Sequence, residues 1–105
     1  MLGELEQLVI LGVLHAGRDA YGVPVHDEIQ RRANRELTLG TIYKTLSRLE
    51  DKGLVTSRIG DPTPERGGRR TRCYAVTPAG RRELHASIRA LRSMASGLGV
   101  GLEPI

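Results

Sequence analysis

The sequence predicts a mainly α-helical domain with one two-stranded β-hairpin, in the order helix, helix, helix, strand, wing, strand, helix. Three observations predict it. Apolar residues recur at spacings of three and four in four separate segments, two short runs are rich in β-branched and aromatic residues, and a Pro/Gly/Asp stretch separates those runs. With 105 residues, one core must serve every element.

The first helix is expected over Glu4 to Ala16, which lacks proline and is followed by Gly17, where a C-cap glycine belongs. Leu5, Leu8, Val9, Ile10, Leu11, Val13 and Leu14 cover more than one stripe of it, the pattern of a helix buried on several sides. In so small a domain, part of that surface is expected to meet a second subunit. The second helix is expected from about Tyr21 to Ala33, with Pro24 tolerated near its first turn and Val25, Ile29 and Ala33 at helical spacing.

Thr38 has the chemistry of an N-cap for the third helix, with Leu37 and Ile42 placed for a hydrophobic staple. Leu39, Ile42, Tyr43, Leu46 and Leu49 then define one inward face through Lys52. Thr41, Lys44, Thr45, Ser47, Arg48 and Asp51 are expected to face away from it. Gly53 suits the left-handed position that ends a helix, and Leu54 can return to Leu49 as in a Schellman cap.

Residues 54–60 and 70–76 read as the two strands, joined by a turn-forming loop over 61–69. Thr77 and Pro78 provide an N-cap and a first-turn proline for the last helix. There Leu84, Ile88, Leu91 and Met94 or Ala95 form an apolar seam flanked by Arg81, Arg82, Arg89 and Arg92, suited to pairing with another helix. The glycines beyond Gly97 oppose helix. The expected organisation is a 1–76 winged helix-turn-helix unit, a 77–96 dimerisation helix and a 97–105 flexible tail.

This order suits duplex DNA for a geometric reason: a major groove about 12 Å wide admits one helix, while a hairpin beside it can reach backbone or minor groove. Thr38, Gly40, Thr41, Tyr43, Lys44, Thr45 and Arg48 form the candidate recognition surface of the third helix. The wing adds Arg58, Arg66, Arg69, Arg70 and Arg72 against only Asp61 and Glu65, concentrating the positive charge of a chain whose net charge is +4. Dimer contacts are expected from Leu5, Leu8, Val9, Leu84, Ile88, Leu91 and Met94.

Other chemistry finds little support. No nucleophile stands beside a base in a recognisable motif, and His15, His26 and His85 lack metal-ligand spacing, so neither an enzyme, a metal site nor a cofactor is expected. The lone Cys73 falls in a strand and reads as a structural thiol. Gly67-Gly68-Arg69-Arg70 lacks the Gly-Lys-Ser/Thr ending of a phosphate-binding loop. Three Tyr with no Phe or Trp offer few stacking platforms for RNA bases. A protein-interaction module is the alternative, although the third helix would then be expected to expose an apolar face. No apolar run is long enough for a membrane span, and the start Met1-Leu2-Gly3-Glu4 lacks signal-peptide character, so the cytoplasm is expected.

Several segments together resemble the PadR family of bacterial transcriptional regulators. They are Leu2-Gly3-Glu4-Leu5-Glu6, Asp19-Ala20-Tyr21-Gly22, Leu39-Gly40-Thr41-Ile42-Tyr43-Lys44-Thr45-Leu46, Leu49-Glu50-Asp51-Lys52-Gly53-Leu54-Val55 and Tyr74-Ala75-Val76-Thr77-Pro78-Ala79-Gly80. The resemblance implies a winged-helix homodimer on a near-palindromic operator, joined through the C-terminal helix with help from the N-terminal one. It also implies repression relieved by a small hydrophobic or phenolic compound. It makes Tyr21 and Tyr43 candidates for phosphate contact, although Tyr43 also falls on the inward face, where packing is the alternative. The single C-terminal helix matches the family's shorter branch.

Overall fold

In a computed structural model, which describes residues 2–62 and 70–99, the elements are α1 (Glu4–Ala16), a 3-10 turn (Gly17–Asp19), α2 (Gly22–Ala33), α3 (Leu39–Asp51), β1 (Val55–Pro62), β2 (Arg70–Val76) and α4 (Pro78–Ala95). Helices α1, α2 and α3 enclose the core. Val9, Ile10 and Val13 of α1 meet Val25 and Ile29 of α2 and Ile42, Leu46 and Leu49 of α3, all buried. Each such side chain contributes about 1.5–3 kcal/mol by leaving water. Gly12 permits the close approach of α1 to α2, since a Cβ there would stand 3.0 Å from Val25 Cγ1. Pro24 is the third residue of α2, where a missing N–H breaks no intrahelical bond.

The ends of α3 follow from four residues. Thr38 Oγ1 accepts the Thr41 N–H at 3.1 Å. At the other end, Leu54 N–H donates to Leu49 O and Gly53 N–H to Glu50 O, both at 2.9 Å, with Gly53 at φ +75°. These two bonds are the full Schellman pattern.

Strands β1 and β2 pair antiparallel, with Val55 opposite Val76 and Arg58 opposite Cys73, and the register shifts between Ile59 and Pro62. β1 therefore runs two residues further than expected. Tyr74 N–H donates to Ala20 O at 2.9 Å, tying the hairpin to the α1–α2 connection. Residues 63–69, which include Arg66 and Arg69, and the end of the expected tail, 100–105, lie outside the described residues.

Helix α4 starts from the turn that ends α3. Thr77 Oγ1 accepts the Gly80 N–H at 3.0 Å and donates to Gly53 O at 2.8 Å, while Thr77 N–H donates to Leu54 O. A Cβ on Gly80 would overlap Leu54 O, so the two backbones meet there because that side chain is absent. The chain start is tied to the same helix: Leu2 N–H donates to the buried Ser87 Oγ at 3.1 Å.

Glu6 links α1 to α3. Its carboxylate accepts the Gly3 N–H at 3.1 Å and the Lys52 ammonium at 2.6 Å. The Lys52 hydrogen bond holds the Glu6 carboxyl below the usual carboxylate range, against the opposing effect of burial.

Three expectations are corrected. Val9 and Leu84, expected at a subunit interface, are buried in the chain's own core at 0% and 6% exposure. Leu39, expected inward, is 38% exposed because the first helical residue stands at the rim of the core.

Candidate nucleic-acid interface

The polar side of α3 presents Thr38, Gly40, Lys44, Ser47 and Arg48 as exposed residues and Thr41 as a half-buried one. Two hydroxyls sit together at its start, where Thr38 Oγ1 donates to Thr41 Oγ1 at 3.0 Å. Gly40 lies beside them. A Cβ there would meet nothing nearer than Thr38 Oγ1 at 3.9 Å, so the chain's own packing does not require a glycine.

Thr45 does not share this surface. It is 2% exposed, and its hydroxyl donates to Thr41 O at 2.8 Å. The reason is its spacing, three residues after Ile42 and four before Leu49, which puts it on the margin of the buried stripe; its polar atom is then satisfied by the helix backbone.

The two tyrosines also turn inward. Tyr43 packs against the core, and its Oη accepts the Gly22 N–H at 3.1 Å. Of its two expected roles, packing is the one observed. Tyr21, expected as a phosphate contact, is 5% exposed in the core and caps α2 through its extended backbone.

The hairpin base is bonded to the end of α3. Arg72 Nη1 donates to Ser57 Oγ at 3.0 Å, and Ser57 donates to Glu50 Oε2 at 2.7 Å. A chain of polar groups thus runs from β2 through β1 to α3, tying the hairpin to the end of that helix. Arg58 turns the other way, donating to Arg18 O at 2.9 Å, while Arg70 is exposed. The sequence motifs contained no sign of the Ser57–Glu50 link, because both residues are ordinary solvent-facing types.

Among the described residues, no three His, Cys, Asp or Glu are grouped to hold a metal, and no helix is long and apolar enough to cross a membrane. Cys73, on β2, is buried. Three arginines of α2 and the loop after it are paired: Arg31 and Arg32 with Glu28, and Arg35 with Glu4 at 2.7 Å. On α4, by contrast, Leu91 and Met94 are 48% and 79% exposed.

Residues 10–86 match the Transcriptional regulator PadR-like family. The chain belongs to this family. It is 40% identical over 91 residues to Transcriptional regulator Rv3488 of Mycobacterium tuberculosis, covering 83% of this chain and 78% of that protein. Its fold is similar to the crystal structure of a PadR family transcription regulator from Clostridium difficile, with TM-score 0.71, 27% identity and coverage of 88% of this chain and 91% of that one. It is also similar to a PadR family transcriptional regulator from Eggerthella lenta, with TM-score 0.69, 25% identity and coverage of 97% and 88%. PadR-like membership makes the chain a winged-helix transcriptional regulator and not an enzyme.

Proposed function

We propose that this PadR-like chain is a cytoplasmic homodimeric repressor that places α3 in the major groove of a near-palindromic operator and the arginine-rich wing on adjacent backbone. The observation that carries the reading is the polar, cationic face of α3 standing beside a hairpin that is hydrogen-bonded to the end of that helix. Thr38, Thr41, Lys44 and Arg48 offer the donors and acceptors that read base edges, with Gly40 allowing close approach. Arg70 and Arg72, with Arg66 and Arg69 from the sequence, supply phosphate contacts.

Dimerisation is assigned to α4 and the flank of α1. Leu91 and Met94 continue the seam begun by half-buried Ile88, and Leu5 and Leu8 are half-buried on α1. Burial of this strip against a second copy would take its apolar side chains out of water. Release by a small hydrophobic or phenolic compound bound between paired helices rests on the family resemblance.

Capturing genomic fragments on the purified protein and sequencing them tests the reading. Enrichment of one inverted repeat, bound as a dimer, is expected. Retention of fragments without a shared sequence, or none at all, would contradict it and favour a protein-interaction module.

A further inference from the structure

Helix α4 changes character along one line. Gly80, Leu84 and Ser87 are its buried residues, and Leu91 and Met94 continue the same line at helical spacing but are exposed. Ser87 is therefore the last buried residue of α4, and Ala95 ends the helix about 12 Å further on. The serine is fully buried, and its hydroxyl oxygen accepts the Leu2 N–H at 3.1 Å. Among the described residues that is the one hydrogen bond of this side chain. Residues 2–7 carry the connection onward. Leu2 O accepts the Gln7 side-chain amide at 3.0 Å, Gly3 N–H donates to Glu6, and Glu6 holds Lys52, the C-cap of α3. The next residue, Gly53, accepts the Thr77 hydroxyl at the start of α4. Helix α4 is thus fastened to the end of α3 twice, directly at Thr77 and through residues 2–7 at Ser87.

We propose that Ser87 is a positioning residue for DNA recognition. By anchoring the Leu2 N–H it fixes the direction in which α4 leaves the winged-helix body, and hence the spacing of the two α3 helices in a dimer. This rests on the homodimer reading above. A helix held only at Thr77 can pivot there, and a second attachment about 15 Å along its axis removes the pivot. The apolar contact at Leu84 holds α4 down but is non-directional, whereas a hydrogen bond weakens steeply with angle. A polar residue within an apolar seam therefore adds direction, as it does where it specifies helix register. The leverage is large on the scale of DNA. A tilt of about 10° at Thr77 would move the far end of α4 by about 5 Å, more than the rise of about 3.4 Å per base pair.

Two measurements on the full chain test this. Spin labels on Ser47→Cys and Ser93→Cys, diluted in unlabelled protein, report by pulsed electron resonance the distance from α3 to the far part of α4 within one protomer. Both positions are exposed, and the buried Cys73 stays in place. The parent should give one narrow distribution and Ser87→Ala a wider or displaced one. Ser87→Cys, close in size and with sulfur as a weak acceptor, should fall between them. The second measurement titrates duplexes carrying two inverted copies of the half-site found by genomic capture, with their spacing changed one base pair at a time. The parent should lose about tenfold or more in affinity one base pair from its best spacing, and Ser87→Ala less than about threefold. A single half-site should bind both proteins alike, which separates positioning from unfolding. The proposal is overturned if the Ser87→Ala distribution stays that of the parent, or if it widens while the spacing profile is unaltered. A parent that favours no inverted repeat overturns the spacing role together with the dimer reading, whereas failure of Ser87 alone leaves that reading intact.

Discussion

The phenol oxygen of Tyr43, on α3, accepts the backbone N–H of Gly22, the first residue of α2, at 3.1 Å, and a Cβ on Gly22 would overlap that oxygen. The two helices of the helix-turn-helix are therefore set against each other by a tyrosine and the absence of a side chain. Gly22→Ala should destabilise the fold by about 1–3 kcal/mol through overpacking. Tyr43→Phe should cost about 0.5–1.5 kcal/mol, because one N–H loses its acceptor. Urea unfolding measures both. The salt dependence of DNA binding by Tyr43→Phe should match the parent; a reduced slope would restore the phenol to the role of phosphate contact.

Glu6 predicts an acid-side dependence of stability. Its carboxyl is held low in the folded protein, first by the Lys52 hydrogen bond, and returns to the ordinary range on unfolding. The unfolded chain thus binds the proton more readily, so this contribution is fully present above the ordinary carboxyl pKa and is lost as pH falls through the lowered folded value. Glu6→Gln should give a shallower loss of stability over that acid window in denaturant titrations at successive pH values. An unchanged acid limb would mean the contact is not maintained in solution.

The apolar seam on α4 has a buried part, at Leu84, and an exposed part, at Leu91 and Met94, that is proposed as the dimer interface. Leu91, 48% exposed, should tolerate Glu without unfolding, and Leu91→Glu should sediment as a monomer where the parent sediments as a dimer. Leu84→Ala should instead lower stability by about 2–5 kcal/mol, as for a buried leucine. A monomeric parent at micromolar concentration would remove the dimer from the mechanism.

Much of this division is legible in the sequence, for particular reasons. Thr38, Gly53 and Leu54 each sit where one backbone requirement has one common chemical solution, so both ends of α3 can be placed from residue type alone. Thr45 cannot, because a threonine on the margin of an apolar stripe can hydrogen-bond its own helix or solvent, and spacing does not distinguish them. Val9 and Leu84 are apolar in a way that suits a chain's own core and a partner's surface equally. Tyr43 finds its acceptor role 21 positions away in Gly22, a pairing that periodicity cannot report. The Ser57–Glu50 bond between hairpin and helix is invisible for the same reason.

Gly40 offers a test of how closely α3 approaches DNA. The space around it is open, so Gly40→Ala should stabilise the protein by about 0.5–1 kcal/mol through helix propensity. If the start of α3 lies against the groove, the same methyl group should weaken operator binding. A variant that is more stable and binds equally well would place the contact further along the helix.

The division of labour between α3 and the wing is tested most directly by equilibrium binding to operator and scrambled duplexes over a salt series. Arg48→Ala should cost about 1–3 kcal/mol on the operator and relax preference at particular base pairs. Arg66→Ala, Arg69→Ala and Arg70→Ala should weaken both duplexes alike, each lost phosphate contact lowering the slope of log affinity against log salt by about 0.9, or twice that in a dimer. Wing variants that change sequence preference with an unaltered slope, or α3 variants without effect on either duplex, would contradict the assignment.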